Sequence, residues 1–565
     1  MTAIDDTKKT THYCSSSRQQ QIVSFDLKRS ENCYPENYEH LEGKYSKFLS
    51  KREKNRKVIT FWSEDEFDPT HLQLSGGMPN EGFFPIESID LNVLNSPSCK
   101  INNTSDCTTS TDTDSLSKIH VTKRFPQELP LSMSLQYSET QGMKPLLDFI
   151  KTFITKLNNT PPYNETLYDI MLANGSSDSM FKVFETLCDE STTVLMEEFT
   201  FVPVISNVMA TGAKCIPLKL NLNYEDQGID IEYLENLLDN WGGKSNTKHL
   251  SKPKILYTIS TGQNPIGVTL SMEKRRKIYT IAQRHDLIIL EDDPYCYLTF
   301  PKYNQKNNNN DKQDQLNPYF DPNFTIEDYL RERFYKSLIT LDTDGRVIRL
   351  ETFSKIFGPG LRLSFIVANK FLIDKFVVFS ELSSRAPSGV SQSFVYSTIQ
   401  AMTKKRISEI VWGNFDQVEM FNEMYKSWMD WIMKIAGHYT HRRNTTLKTL
   451  YATEAFKNGL FSIIEPSAGM FINLGLQFPK FQEYYEDSFN IIDQMNKFDK
   501  VLTKNGVKVV LGYKMAVSKE FSKENCNFIR LTISFAKNDN ELIVAANKIA
   551  KSIQTFFKGM KPIQN

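Results

Sequence analysis

No two of the eight cysteines, at 14, 33, 99, 107, 188, 215, 296 and 526, form a CxxC, and none is spaced with a histidine as a zinc site requires. Neither a metal nor a disulfide framework is indicated, and reduced thiols are expected. Charge of one sign is lacking too: 67 Lys and Arg balance 67 Asp and Glu. Without a long one-signed face there is nothing to draw nucleic acid or an anionic membrane surface. No apolar run approaches the roughly 20 residues needed to cross a bilayer. The opening MTAIDDTKKTTHYCSSSRQQQ has no apolar core of the secretory kind, and its two aspartates argue against a mitochondrial presequence. A cytoplasmic protein is expected.

What is present is length. At 565 residues the chain exceeds what one core organises, so two packed domains plus some dispensable sequence are expected. Residues 96–118 and 303–317, the latter with NNNN at 307–310, are too poor in large apolar residues to offset the entropy of ordering them. They read as solvated inserts. The expected division is a polar tail over 1–44, an N-terminal arm with part of a small domain over 45–135, a large domain over 136–404 and a C-terminal small domain over 405–565. Apolar runs at 192–198 (TTVLMEE), 254–259 (KILYTI), 287–292 (LIILED), 346–352 (RVIRLET) and 362–368 (RLSFIVA) alternate with helical periodicity. Such strands suit a mostly parallel sheet covered on both faces, hence a three-layer α/β domain. Helical patterns dominate after about residue 404, with one late strand, FIRLTIS at 528–534, in a smaller α+β domain.

Open α/β sheets place ligands at the C-terminal ends of their strands, and five polar constellations fall there. Gly175-Ser176-Ser177-Asp178 opens a helix and offers N–H groups and hydroxyls to an anion, although such residues also serve as plain caps. Thr261 to Gly267 (TGQNPIG) follows a strand, and Pro265 holds Asn264 extended over its end; an ordinary turn has the same composition. Asp292, in EDDPY, closes a buried strand, where a carboxylate needs a cationic partner. Lys355 follows another strand in TFSKIFGPGLR, with Arg362 across a Gly-Pro-Gly turn. A desolvated amine forms Schiff bases, and a guanidinium fork suits a phosphate. Arg530 stands among apolar neighbours in FIRLTIS, as a buried ion pair or as a carboxylate receptor.

One cofactor accounts for all five. Pyridoxal 5'-phosphate needs a Schiff-base lysine, a carboxylate at its ring nitrogen, donors to its ring oxygen and an anion cradle. The sequence resembles the fold-type I aminotransferases, most closely the fungal aromatic aminotransferase II branch of the aromatic/2-aminoadipate group. The resemblance rests on LSGGMPNEGFFP (74–85), LQYSETQG (135–142), NGSSDSMFKVFETLCDESTTV (174–194), EEFTF (197–201), YTISTGQNPIG (257–267), RHDLIILEDDPY (284–295), RLETFSKIFGPGLRLSFIVANKF (349–371), RAPSG (385–389), EPSAGMF (465–471), NGVKVVLGYKMAV (505–517) and FIRLTIS. It spans nearly everything from residue 45 onward.

The resemblance implies the aspartate aminotransferase-like fold and a ping-pong transamination of phenylalanine, tyrosine and tryptophan, extending to kynurenine, with 2-oxo acids. Lys355 takes the position of the Schiff-base lysine, Asp292 that of the ring-nitrogen partner, and Asn264 with Tyr295 that of the pair at the ring hydroxyl. Gly175, Ser176, Ser177, Thr352, Ser354 and Arg362 fall where the phosphate is held, and Phe201 where an aromatic ring stacks. Arg530 falls at the α-carboxylate receptor, with Asn264 and Gly77 also on the substrate side. Tyr137 matches a tyrosine that reaches the neighbouring subunit's phosphate, which implies a homodimer with shared sites. Two positions depart from the family: Gly-Ser-Gln is common where this chain has Gly175-Ser176-Ser177, and Tyr is common at Phe201. Rival readings are a 2-aminoadipate or broad-specificity aminotransferase, a decarboxylase or lyase on the same cradle, and a cofactor-sensing transcription regulator. The last needs a helix-turn-helix domain that the polar first 45 residues are too short to supply.

Overall fold

Several strands in the middle of the chain bury every one of their residues, which requires a sheet covered on both faces. The computed structural model describes residues 35–58, 77–97, 116–124, 128–158, 165–222, 226–243, 247–304, 317–410 and 416–563. Most of the expected 1–44 tail and of the inserts at 96–118 and 303–317 lies outside them. In chain order the strands are β1 (Ser88–Leu94), β2 (Leu116–Thr122), β3 (Tyr168–Ala173), β4 (Thr193–Glu197), β5 (Lys214–Leu218), β6 (Leu220–Asn221), β7 (Gly228–Ile229) and β8 (Ile255–Thr258). They continue with β9 (Ile288–Asp292), β10 (Val347–Thr352), β11 (Ser364–Asn369), β12 (Phe461–Ile464), β13 (Phe471–Leu476), β14 (Val510–Leu511) and β15 (Phe528–Thr532).

Among the described residues the large sheet has seven strands in the order β3-β11-β10-β9-β8-β4-β5. Only β11 runs antiparallel to its neighbours; the pairs from β10 through β5 are parallel. The expected mostly parallel α/β sheet is therefore present. Two of its strands, β3 and β5, have no counterpart among the apolar runs singled out in the sequence. β5 lies at the sheet edge, part-exposed and carrying Pro217, a residue tolerated only where the ladder ends. The run at 362–368 starts as a strand only at Ser364, because Arg362 adopts a left-handed conformation with φ 48° and belongs to the preceding turn.

Helices cover the sheet with apolar stripes. The helix Lys144–Asn158 buries Leu146, Phe149, Ile150, Phe153, Ile154 and Leu157, the i, i+3, i+4, i+7 spacing of one face. The 36-residue helix Gln417–Ala452 starts in a capping box between Asp416 and Glu419. Its Trp428 and Ile432 join the core under the large sheet, and its Leu447 and Leu450 join a second core. That second core lies under the antiparallel sheet β12-β13-β15-β14 and includes Met495, Phe498, Ile549 and Ile553 of the two last helices. The β1–β2 hairpin does not join this sheet; it packs on the helix Gly389–Ile410.

The two sheets meet backbone to backbone. Gly262 (φ 58°), in the turn after β8, lies against Gly469 (φ 90°), just before β13. A Cβ on Gly262 would sit 2.7 Å from the Gly469 Cα and 2.8 Å from the Ala468 carbonyl carbon. The same loop is held by Gly469 N–H to the Leu298 carbonyl at 2.8 Å and Phe300 N–H to the Ser467 carbonyl at 2.7 Å. Gly262→Ala must adopt a left-handed conformation and push two backbones apart, so it is expected to cost about 2 kcal/mol or more. Gly43→Ala, in an exposed helix with open space around it, is expected to gain ~0.5–1 kcal/mol instead. Denaturant unfolding of both variants checks this, and equal effects would contradict it.

Candidate active site

At the end of β9 three acidic residues follow one another, and the pleat sends them to two faces. Glu291 and Asp293 share one face. Glu291 accepts from Ser260 Oγ (2.7 Å), Arg275 Nη1 (3.0 Å), Arg349 Nη1 (3.1 Å) and the Leu338 N–H (3.2 Å), and also from the Ser337 hydroxyl. Arg349, wholly buried, also reaches Asp293 (3.0 Å) and Glu351 (2.6 Å). Two guanidiniums thus answer three carboxylates, and burial pushes the Asp293 pKa up to about 7 against the pull of Arg349; cations this close are what a buried carboxylate needs in order to stay ionised.

Asp292 faces the other way. Its Oδ2 accepts the Tyr257 hydroxyl at 2.8 Å, whereas its Oδ1 is buried and has no hydrogen-bond partner among the described residues. Burial pushes its pKa up to about 6, against the opposing pull of the Tyr257 hydrogen bond and the Lys355 charge. Lys355 ends the single turn Phe353–Lys355 that follows β10, capped by the Thr352 hydroxyl, which accepts the Ser354 N–H at 3.1 Å. Burial lowers the amine's pKa and the Arg362 charge adds to this, with Asp292 opposing.

A helix start and a guanidinium lie beside them. Gly175 (φ 85°) precedes the helix Ser176–Leu187, and among the described residues no side chain caps that helix end, where N–H groups lack intrahelical partners. A Cβ at Gly175 would fall 2.2 Å from Arg362 Nη2, so only glycine lets the guanidinium approach the helix. Arg362 itself donates to the Pro359 carbonyl at 3.1 Å and, at 3.5 Å, to that of Asn174.

The remaining wall comes from the turn after β8. Gln263 ties that turn down, donating to Glu197 Oε2 (3.0 Å) and the Phe199 carbonyl (2.6 Å) while accepting the Ile266 N–H (2.8 Å). Asn264, so placed, accepts Arg530 Nη1 through its Oδ1 at 2.7 Å. The Arg530 guanidinium lies 4.4 Å from the Phe471 ring centroid, and its Nε is buried without a hydrogen-bond partner among the described residues. Phe471 also meets Tyr295 edge to face, 5.7 Å between centroids.

These groups enclose a cleft of about 160 Å³. Ser176, Ser177, Thr352, Ser354 and Arg362 line it, together with Phe201, Asn264, Asp292, Tyr295 and Lys355. The residues singled out in the sequence thus converge, with four placed otherwise. Gly175 lies behind Arg362 and Arg530 beyond Asn264, while Gly77 and Tyr137 are exposed on this chain. Sequence reasoning missed Tyr257 and Phe471. Tyr257 pairs with Leu290 across β8 and β9, so it shares a face with Asp292 two residues on; a hydroxyl inside the run KILYTI was the available signal. A buried carboxylate lacking a cation, a half-buried amine and an anion cradle in one cleft fit a flat anionic ring bearing a basic nitrogen and a carbonyl.

Comparison with known proteins agrees with this chemistry. The family model for aminotransferase class I and II matches residues 109–549. The chain is 49% identical over 535 residues to aromatic amino acid aminotransferase 2 of Saccharomyces cerevisiae, covering 93% of this chain and 98% of that protein. It is 27% identical over 437 residues to the mouse mitochondrial kynurenine/alpha-aminoadipate aminotransferase, covering 76% of this chain and 83% of that protein. The crystal structure of the aromatic aminotransferase Aro9 from Candida albicans superposes with a TM-score of 0.77 at 35% identity, covering 91% of this chain and 98% of that one.

The raised pKa of Asp292 carries a stability prediction. The folded state holds this proton more tightly than the unfolded state, whose value is near 3.8. The penalty is therefore absent below pH ~4, grows as pH rises, and is complete above pH ~6, at roughly 3 kcal/mol. Asp292→Asn should stabilise the ligand-free protein more at pH 7.5 than at pH 4 by about that amount. Chemical unfolding at the two pH values measures the difference, and a pH-independent effect would contradict the assignment.

Proposed function

The chain belongs to the class I and II aminotransferase family, and from that premise we propose that it transfers amino groups from aromatic amino acids to 2-oxo acids, using pyridoxal 5'-phosphate held by Lys355. The observation that carries the reading is the buried, unpartnered Oδ1 of Asp292 in the same cleft as the desolvated Lys355 amine. A protonated ring nitrogen is the partner that oxygen lacks. When bound, the cofactor supplies an electron sink for the electron pair left by deprotonation at the substrate Cα.

The rest falls to the chain's own residues. Ser176, Ser177, Ser354, Arg362 and the helix N–H groups beside Gly175 hold the phosphate, with Thr352 orienting Ser354 through the 2.9 Å bond between their hydroxyls. Phe201 stacks on the ring, and Asn264 and Tyr295 donate to its hydroxyl. Arg530 binds the substrate α-carboxylate, which satisfies its partnerless Nε. Lys355, released from the cofactor by the incoming amino group and with its proton affinity lowered by burial, would take the Cα proton as general base and return it as general acid to the carbon on the far side of the amino nitrogen, two bonds away. Two such half-reactions, run in opposite directions with different amino and oxo acids, complete a ping-pong cycle. Tyr137 and Gly77, exposed here, serve the partner's site and the substrate side of a homodimer with shared active sites. We place the protein in the cytoplasm; no helix among the described residues is long and apolar enough to cross a membrane.

Aromatic preference draws on the similarity to the yeast and Candida enzymes and on the Phe471 ring, 4.4 Å from the Arg530 guanidinium, as an aromatic surface beside the proposed carboxylate receptor. Adding phenylalanine, tyrosine, tryptophan, kynurenine, 2-aminoadipate and aspartate in turn to the loaded enzyme, and following cofactor absorbance, tests it. The aromatic donors should react at least about tenfold more efficiently than aspartate, the worth of ~1.4 kcal/mol of side-chain contact; fastest reaction with 2-aminoadipate would support the rival reading.

Arg530→Leu removes one partner of a desolvated charged hydrogen bond, so kcat/KM should fall by about two to three orders of magnitude with cofactor binding retained. Amines without a carboxylate should lose far less, and equal losses would make Arg530 a structural residue.

A further inference from the structure

We propose that Tyr257 is a positioning residue of this site: its hydroxyl, by donating to one oxygen of Asp292, keeps the carboxylate ionised and aims the other oxygen at the cofactor ring nitrogen. The inference rests on the reading of the cleft as a pyridoxal phosphate site.

The geometry isolates the hydroxyl's role. Tyr257 is wholly buried on β8, with its hydroxyl 2.8 Å from Asp292 Oδ2. Its ring packs against Phe184, centroids 6.4 Å apart, on the helix whose start carries Ser176 and Ser177. The carboxylate is thereby tied to the element that forms the anion cradle. Four ionisable groups surround Asp292: Tyr257 from β8, Glu197 from the end of β4, Lys355 from the turn after β10, and Tyr295 from the segment after β9. Among the described residues only Tyr257 is hydrogen-bonded to it.

A carboxylate rotates readily about its last torsion, and this one has no cation within salt-bridge distance among the described residues. With Oδ2 bound to Tyr257, Oδ1 is the acceptor left for the cleft. Burial and the negative charges of Asp292 and Glu197 keep the Tyr257 proton firmly on its oxygen, so the group remains a donor across the working pH range. A donor to a carboxylate favours its ionised form. The proton shared between Asp292 and the ring then resides on the ring nitrogen, where it makes the cofactor an electron sink. Without the hydroxyl the proton shifts toward Asp292.

The test uses full-length enzyme loaded with pyridoxal 5'-phosphate carrying ¹⁵N in the ring, as wild type, Tyr257→Phe, Asp292→Asn and the double variant. Two quantities are read: the ring ¹⁵N chemical shift from pH 5 to 9, and the dissociation constant of the cofactor by equilibrium dialysis. Wild type should show a protonated ring nitrogen throughout. Tyr257→Phe, which keeps the ring that packs on Phe184, should move the resonance toward the neutral value and weaken cofactor binding by about 10- to 100-fold, the range for losing a hydrogen bond to a charged group. In the Asp292→Asn background the same change should add less than about twofold, because the partner is already gone. A wild-type shift and affinity in Tyr257→Phe would overturn the proposal, as would an equal loss of affinity in both backgrounds, which marks a packing role. Failure of wild type to bind the cofactor, or a neutral ring in wild type, would overturn the cofactor reading itself and this inference with it.

Discussion

The pleat of β9 divides three consecutive carboxylates between two faces of a buried sheet, and the site depends on how unequally those faces are served. On one face Arg275 and Arg349 answer Glu291, Asp293 and Glu351 with close hydrogen bonds and little solvent. On the other, Asp292 has a single tyrosine hydroxyl among the described residues. Taking a carboxylate out of water costs several kcal/mol unless a cation meets it, and the folded chain by itself leaves that cost partly unmet at Asp292. The first face keeps the strand ends rigid. The second leaves an acceptor for a cation that arrives with a ligand.

A second dependence runs through the turn after β8. Glu197 holds Gln263, Gln263 holds the turn, and the turn presents Asn264 to Arg530 on the other sheet. The contact of Gly262 with Gly469 brings the two backbones close enough for that bond to form. Arg530 and the cleft around Lys355 thus lie on different sheets, and their spacing is set by glycine backbones rather than by side chains that can repack.

Much of this was legible in the sequence. Strand-end chemistry announces itself because charged or amide groups beside apolar runs need partners: Asp292 after LIIL and Lys355 after RVIRLETFS stand out on that ground alone. What a single sequence hides is which residues share a face across strands. Tyr257 needed the register of β8 against β9, and Phe471 needed the position of β13 beside Arg530. Strand direction was equally hidden, since β11 is as apolar and as buried as its parallel neighbours. The half-exposed β5 carried too weak a pattern to single out. Arg362 looked like the first residue of a strand until its left-handed backbone assigned it to the turn that precedes β11.

The central claim is that the amine of Lys355, and no other, bonds the cofactor. Borohydride reduction of the enzyme loaded with pyridoxal 5'-phosphate, followed by proteolysis and mass spectrometry, locates that bond directly. The account predicts one phosphopyridoxyl group per chain, on the peptide containing Thr352 to Arg362 and at Lys355 within it. A group fixed to a different lysine, or none fixed to a protein that has bound the cofactor, would contradict it.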